Sequence, residues 1–229
     1  MRRFAFGLAA LGLAAIASAS VTINEIRIDQ PSTDNDEYFE LAGNAGESLN
    51  DLWYIVVGDG TGASGVIESA SSLAGFSIPA DGYFLAVEST FTLGIGNADT
   101  VLAGSNPLNF ENSDTVTHML VSGFSGAANT DLDTNDDGIF DITPWTSIVD
   151  SVSVLFGGTS ELPYSSTQVG PDGGFSPAHV YRYPNGDGPW AFEPFNDFPA
   201  FDTPGSANIP EPASLALLAL GGLAVIRRR

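Results

Sequence analysis

Val21-Thr22-Ile23-Asn24-Glu25-Ile26-Arg27-Ile28 alternates apolar and polar side chains with period two. That spacing sends successive side chains to opposite faces of an extended strand, one into a core and one away from it. The same reading repeats outward from this segment. Glu37–Leu41, Leu52–Val57 and Tyr83–Val87 are rich in strand-forming residues, and Thr115–Val121, Ser147–Leu155 and His179–Tyr183 are further strands. Clusters of Gly, Asp, Asn and Pro between them supply turn chemistry. No stretch holds a long 3.6-residue period, although Glu68–Ala74 reads as a helical turn. Many short strands separated by turns predict an all-β antiparallel sandwich or barrel, and no internal repeat is present.

The two ends of the chain stand apart from that pattern. Arg2 and Arg3 precede an apolar run from Phe4 to Ile16 and the small-residue site Ala17-Ser18-Ala19, the layout of a secretory signal peptide cut by signal peptidase after Ala19. At the other end, Pro210-Glu211-Pro212 leads into an apolar run from Ala213 to Ile226, closed by Arg227, Arg228 and Arg229. A helix over that run would cover roughly 20 Å, short of the ~30 Å hydrocarbon core. The arginines nevertheless hold their end on the cytoplasmic side. A transient membrane-inserted tail fits both facts. In this order the three parts resemble the PEP-CTERM sorting signal. The resemblance implies processing by an exosortase-type membrane protease, then release or attachment at the cell surface or in the extracellular matrix.

Between the ends, residues 20–208 form one domain carrying 27 of the 28 acidic residues and only Arg27 and Arg182 as basic ones; the chain has no lysine. Such a surface repels phosphate backbones, so nucleic acid is excluded as a partner, whereas divalent cations, neutral polymers such as exopolysaccharide, or an envelope protein fit it. A hydrophobic content of 43% argues against disorder. The absence of cysteine removes thiolate catalysis and disulfide stapling.

The order of strand motifs carries a second resemblance. Ile23-Asn24-Glu25-Ile26, Glu37-Tyr38-Phe39-Glu40-Leu41, Asp51-Leu52-Trp53-Tyr54 and Ile78–Phe84 are similar to successive strands of a lamin-tail domain. Tyr181–Gly186, Trp190 and Thr203–Asn208 resemble its closing segment. This likeness implies an immunoglobulin-like β-sandwich. The domain exceeds the usual ~100 residues of such a sandwich. The excess is expected in loops at about 89–112 and 123–146.

One constellation points to a metal. In Asp131–Asp141, with Asp133 as position 1 of a calcium loop, Asn135, Asp137, Gly138 and Asp141 fall at positions 3, 5, 6 and 9. Ile139 would offer its backbone carbonyl, and Asp131 or Asp150 would complete the shell. Position 12 is Pro144 rather than glutamate and no helices flank the loop, so it is similar to short aspartate-rich calcium loops and departs from an EF-hand. The role expected is structural calcium, with a dissociation constant of roughly 10⁻⁴ to 10⁻³ M. A plain acidic turn is the alternative.

Other groups carry less. Asp34, Asp36 and Glu37 read as a solvated loop, with metal binding there as the alternative, His118 and His179 as ordinary sheet residues, and Glu25 and Glu40 as partners of local backbone. Trp53, Trp145 and Trp190 read as packing residues. No Gly-x-Ser-x-Gly elbow, phosphate loop or HExxH spacing occurs. The expected function is therefore a non-catalytic exported surface or matrix module. A polysaccharide hydrolase using a carboxylate pair is the alternative.

Overall fold

A computed structural model describes residues 21–208 apart from 61–62, 105–106, 109 and 159–161. The expected signal peptide and the tail with Pro210, Glu211, Pro212 and Arg227 to Arg229 lie outside the described residues. The described chain is almost entirely strand and loop: β1 (Thr22–Arg27), β2 (Tyr38–Ala42), β3 (Leu52–Gly58), β4 (Val66–Ser72), β5 (Tyr83–Val87), β6 (Thr100–Val101), β7 (Val116–Ser122), β8 (Ser147–Val154), β9 (Gln168–Val169), β10 (His179–Arg182) and β11 (Trp190–Glu193). They form two sheets, ordered β11-β10-β1-β2-β5-β6 and β4-β3-β7-β8-β9. All pairs between the longer strands are antiparallel; the two-residue edge strands β6 and β9 pair in parallel and make both sheets mixed.

The main core lies between the sheets, where Phe39 of β2 stacks on Tyr54 of β3 with ring centroids 3.7 Å apart. The outer faces are covered too. Ile55, Val57, Met119 and Val121 pack outward beneath Leu132, with Phe140, Trp145 and Tyr164 against them. Tyr38, Leu85 and Val87 pack outward against Phe91 and Leu93. Strands buried on both faces need no polar side, which accounts for the continuous apolar run Ile55-Val56-Val57. The expected 123–146 insertion is thus the lid of a second apolar layer; its Leu132 side chain is fully buried, worth about 1.5–3 kcal/mol.

Two local expectations are corrected. The period-two alternation of β1 slips at Asn24, where the register shifts between Ile23 and Glu25. This bulge brings Ile23 and Ile26, an odd number of residues apart, into the same core. The segment read as a helical turn, Glu68–Ala74, instead lies largely in edge strand β4, paired with β3 over Val66–Ser72. Pairing against an established strand overrides the weak local preference of a Ser/Ala-rich run.

Candidate functional site

The loop 131–141 is built around Asp133, whose side chain is fully covered, with Gly65 and Tyr164 from outside the loop against it. Its Oδ2 accepts from the Gly138 amide at 2.8 Å and the Tyr164 hydroxyl at 2.7 Å, and its Oδ1 from the Asp137 amide at 3.2 Å. Although desolvation opposes it, these donors hold the Asp133 carboxyl below its ordinary range. Asn135 Oδ1 also accepts from the Asp137 amide, and Asp137 Oδ1 from Ile139 N. The chain turns sharply here, with Asp136 at φ 53° and Gly138 at φ 85°, the left-handed conformation that favours glycine.

These contacts bring Asp133, Asn135 and Asp137 together. Asp141 is drawn instead to Thr134, and Asp131 accepts the Asp133 amide at 3.1 Å while bridging to Val66 of β4. Asp150 does not join them: it holds Arg182 with both oxygens at 3.0 Å and accepts from Ile23 N. Among the described residues, the triads whose ligating atoms all lie within 4.8 Å are Glu25–His179–Asp202 and Asp59–Glu111–Asp114, and the loop carboxylates form no such triad. Ile139 stands 70% exposed beside them.

A second constellation was not legible in the motifs. On the outer face of the first sheet, the segment after β11 folds back as a strap held by buried charge. Arg27 of β1 donates to Glu193 at 2.7 Å and to Asp202 of the strap, with its guanidinium 4.9 Å from the Phe198 ring centroid. His179 of β10 donates from Nε2 to Glu25 at 2.8 Å and from Nδ1 to Glu193 at 3.0 Å. The Tyr38 hydroxyl donates to Glu25. Burial alone would lower His179, but Asp202, Glu193 and Glu25 outweigh it and raise the imidazole to about 9. It is therefore an imidazolium at neutral pH, and with Arg27 it sets two protein cations against the three carboxylates Glu25, Glu193 and Asp202.

The strap's backbone closes the arrangement. Glu25 Oε1 accepts from Thr203 N at 2.9 Å, Glu193 Oε1 from Ala200 N at 3.0 Å, and Glu40 Oε2 from Gly205 N at 2.7 Å. Asn208 donates to the Arg182 carbonyl at 2.8 Å. Glu25 and Glu40 do bond backbone, as expected, but of a segment some 165 to 178 residues away rather than local backbone. No spacing along the chain located this constellation; the acidity of the domain implied only that Arg27 and Arg182 would meet carboxylates.

His118 is an interior sheet residue, its Nδ1 2.9 Å from the Tyr54 hydroxyl and its ring kept neutral by burial, which lowers it to about 3. The tryptophans pack as expected: Trp53 against Phe124, Trp145 against Phe140, and Trp190 beneath Arg182. Asp36 and Glu37 are corrected from solvated to buried, at 2% and 5% exposure. A cleft of about 630 Å³ opens between the 172–175 turn and the start of the strap, lined by Asp29, Asn112, Asp172, Phe175 and Phe195. Phe175 is 71% exposed there.

Comparison with protein families identifies a PEP-CTERM protein-sorting motif over residues 208–229, beginning where the strap ends. The motif marks an exported protein processed by exosortase, a membrane protease, at the cell envelope or surface. No curated protein and no solved structure matched the chain. No helix among the described residues is long and apolar enough to cross a membrane.

Proposed function

We propose that a chain addressed by a PEP-CTERM motif delivers a non-catalytic, lamin-tail-like β-sandwich to the cell surface or extracellular matrix, where it binds a neutral extracellular polymer. The observation that carries this reading is the cleft beside the strap. It combines the exposed ring of Phe175 and the partly buried ring of Phe195 with the polar groups of Asp29, Asn112 and Ser176. Aromatic faces with flanking hydrogen-bonding groups suit sugar rings, and the acidic surface disfavours anionic ligands. Calcium belongs to this reading as a structural ion on Asp131, Asp133, Asn135, Asp137, Asp141 and the Ile139 carbonyl. It would pin the lid segment over the second sheet. Support comes from the Gly138 turn and from the amides converging on Asp133.

A second reading has one observation in its favour. Asp29 and Asp172 line the same cleft, and burial raises the Asp29 carboxyl, a property of general acids in glycoside hydrolysis. One experiment separates the two. The full chain is incubated with the exopolysaccharide of its own cells, and both co-sedimentation and reducing-end release are followed for wild type, Phe175→Ala and Asp29→Asn. Binding that weakens in Phe175→Ala without reducing-end release supports the binding module. Release that disappears in Asp29→Asn replaces it with a hydrolase.

A further inference from the structure

The strap ends in a fixed point. Asn208 is 4% exposed; its Nδ2 donates to the Arg182 carbonyl at 2.8 Å and the Asn24 carbonyl at 3.3 Å, its Oδ1 accepts from the Thr203 hydroxyl at 2.7 Å, and its amide donates to Asn185 Oδ1 at 2.9 Å. The fold is therefore held down to the first residue of the sorting motif. Residues 209–212 alone separate it from the apolar run that begins at Ala213, and four residues span at most ~14 Å when fully extended. That tether is short against what it has to cross. With Arg227 to Arg229 on the cytoplasmic side, a helix over Ala213–Ile226 covers roughly 20 Å of a hydrocarbon core ~30 Å thick and leaves about 10 Å to the four residues. A tail inserted in that way sets Asn208 at the headgroups, together with the surface around it.

The strand ladder identifies that surface. Arg182 and Trp190 pair at one end of β10 and β11, and the turn 183–189 that joins them sets Gly186 against Thr22 at the start of β1 and Ala42 at the end of β2. Arg27, His179 and Glu193 pair at the opposite end of the same strands, where Asp29, Ser176 and Pro194 lead into the cleft. Asn24 and Asp29, which mark the two ends along β1, are separated by about 15 Å of extended chain. The turn end carries groups suited to a membrane interface. Tyr183 is 43% exposed and Pro184 follows it into solvent. Of the domain's two arginines, Arg27 is fully buried, whereas Arg182 reaches solvent here with its guanidinium 4.6 Å from the Trp190 ring centroid. Trp190 Nε1 and Thr22 Oγ1 make no hydrogen bond within the protein. Side chains with an apolar body and a polar tip, tyrosine and tryptophan above all, concentrate at the headgroup level.

We infer that the 183–189 end of the sandwich rests on the lipid headgroups of the membrane that holds the tail, so that the cleft at the other end points away from that membrane. The inference rests on entry of the tail into the bilayer, and it is independent of what the cleft binds. The lipid is zwitterionic rather than anionic in its chemistry, because the exposed acid of the turn, Asp187, and the acidity of the whole domain repel anionic headgroups. For the polymer reading the consequence is orientation: while the tail is still attached, the cleft is presented outward rather than covered by the bilayer.

The chain has no cysteine, so single introduced cysteines report position. Full chains carrying Asp187→Cys in the turn, Gly174→Cys at the cleft, where a side chain meets open space, or Ala219→Cys in the apolar run are labelled with a fluorophore and reconstituted into phosphatidylcholine vesicles. Quenching by a headgroup-linked spin label is compared with quenching by iodide in the water. The label at 187 should be quenched severalfold more by the headgroup probe than the label at 174, and iodide should show the reverse order. Equal headgroup quenching at 187 and 174, with the label at 219 shielded from iodide, would overturn the inference and leave tail insertion standing. A label at 219 open to iodide would overturn tail insertion and the inference with it. A label at 187 shielded from both quenchers would overturn it too, by placing a second copy of the chain on this face. No step uses the polymer, so failure of the polymer reading leaves the result intact.

Discussion

Replacing His179 by glutamine makes the buried charge network of the strap measurable. His179 is fully buried and faces Glu25 from β1, Glu193 from β11, Asp202 from the strap and Tyr38 from β2, with Arg27 as the neighbouring cation. Its imidazole titrates at about 9 in the fold against an ordinary 6.5. A histidine raised in this way contributes stability that is fully present below about pH 6.5 and is lost as pH rises through about 9. At ~1.4 kcal/mol per unit the contribution is on the order of 3 kcal/mol. Breaking a buried ion pair from one side costs about 3–5 kcal/mol, so the variant should lose roughly that at pH 6 and only about 1 kcal/mol at pH 10. Urea titration followed by tryptophan fluorescence reads the difference. With a slope of about 2 kcal/mol per molar, the gap between midpoints should shrink by roughly 1.5 M over that range. Glu37 and Glu40, both raised chiefly by burial, lose stability as pH rises, but they do so in both proteins and cancel in the difference. A gap that stays constant from pH 6 to pH 10 would mean a neutral His179 and would refute the ion network.

Asp202→Ala should free the strap, because it removes the carboxylate held by Arg27; limited proteolysis should then cut within residues 194–208 faster than in wild type while the strands stay protected. Millimolar calcium should raise the thermal midpoint of the wild-type full chain by an amount equivalent to about 1–3 kcal/mol, and Asp133→Ala should reduce that rise. A rise equal for calcium and magnesium and unchanged in the variant would be charge screening. Tyr54→Phe should cost about 1–3 kcal/mol in urea titration, since it leaves buried His118 without its 2.9 Å partner.

The strands were legible because their residues announce them locally. Leu52–Val57, Tyr83–Val87 and Ser147–Leu155 carry β-branched and aromatic runs, and each became a strand within a residue or two. Edge elements were not: β4, β6, β9 and β11 have little pattern of their own and exist through the strand they pair with. The aspartate-rich loop was readable as a turn, since its spacing and Gly138 produce the left-handed conformation expected, but the contacts of Asp141 and Asp150 with Thr134 and Arg182 were not. Asp36 and Glu37 looked like solvated loop because composition cannot reveal that Thr92 takes up the Asp36 carboxylate and that the end of β5 lies along Glu37.

By itself the sequence determined the address and the fold class. A sorting motif is a linear pattern recognised as such, and strand periodicity is a property of neighbouring residues. Only the tertiary structure decided where the charges are used. Arg27, His179, Glu25, Glu193 and Asp202 come from four separate segments, and which carboxylate neutralises which cation depends on Coulomb energies at a few ångströms in a desolvated space. Those distances exist once the sheets have closed and the strap has folded back, and no spacing along the chain encodes them.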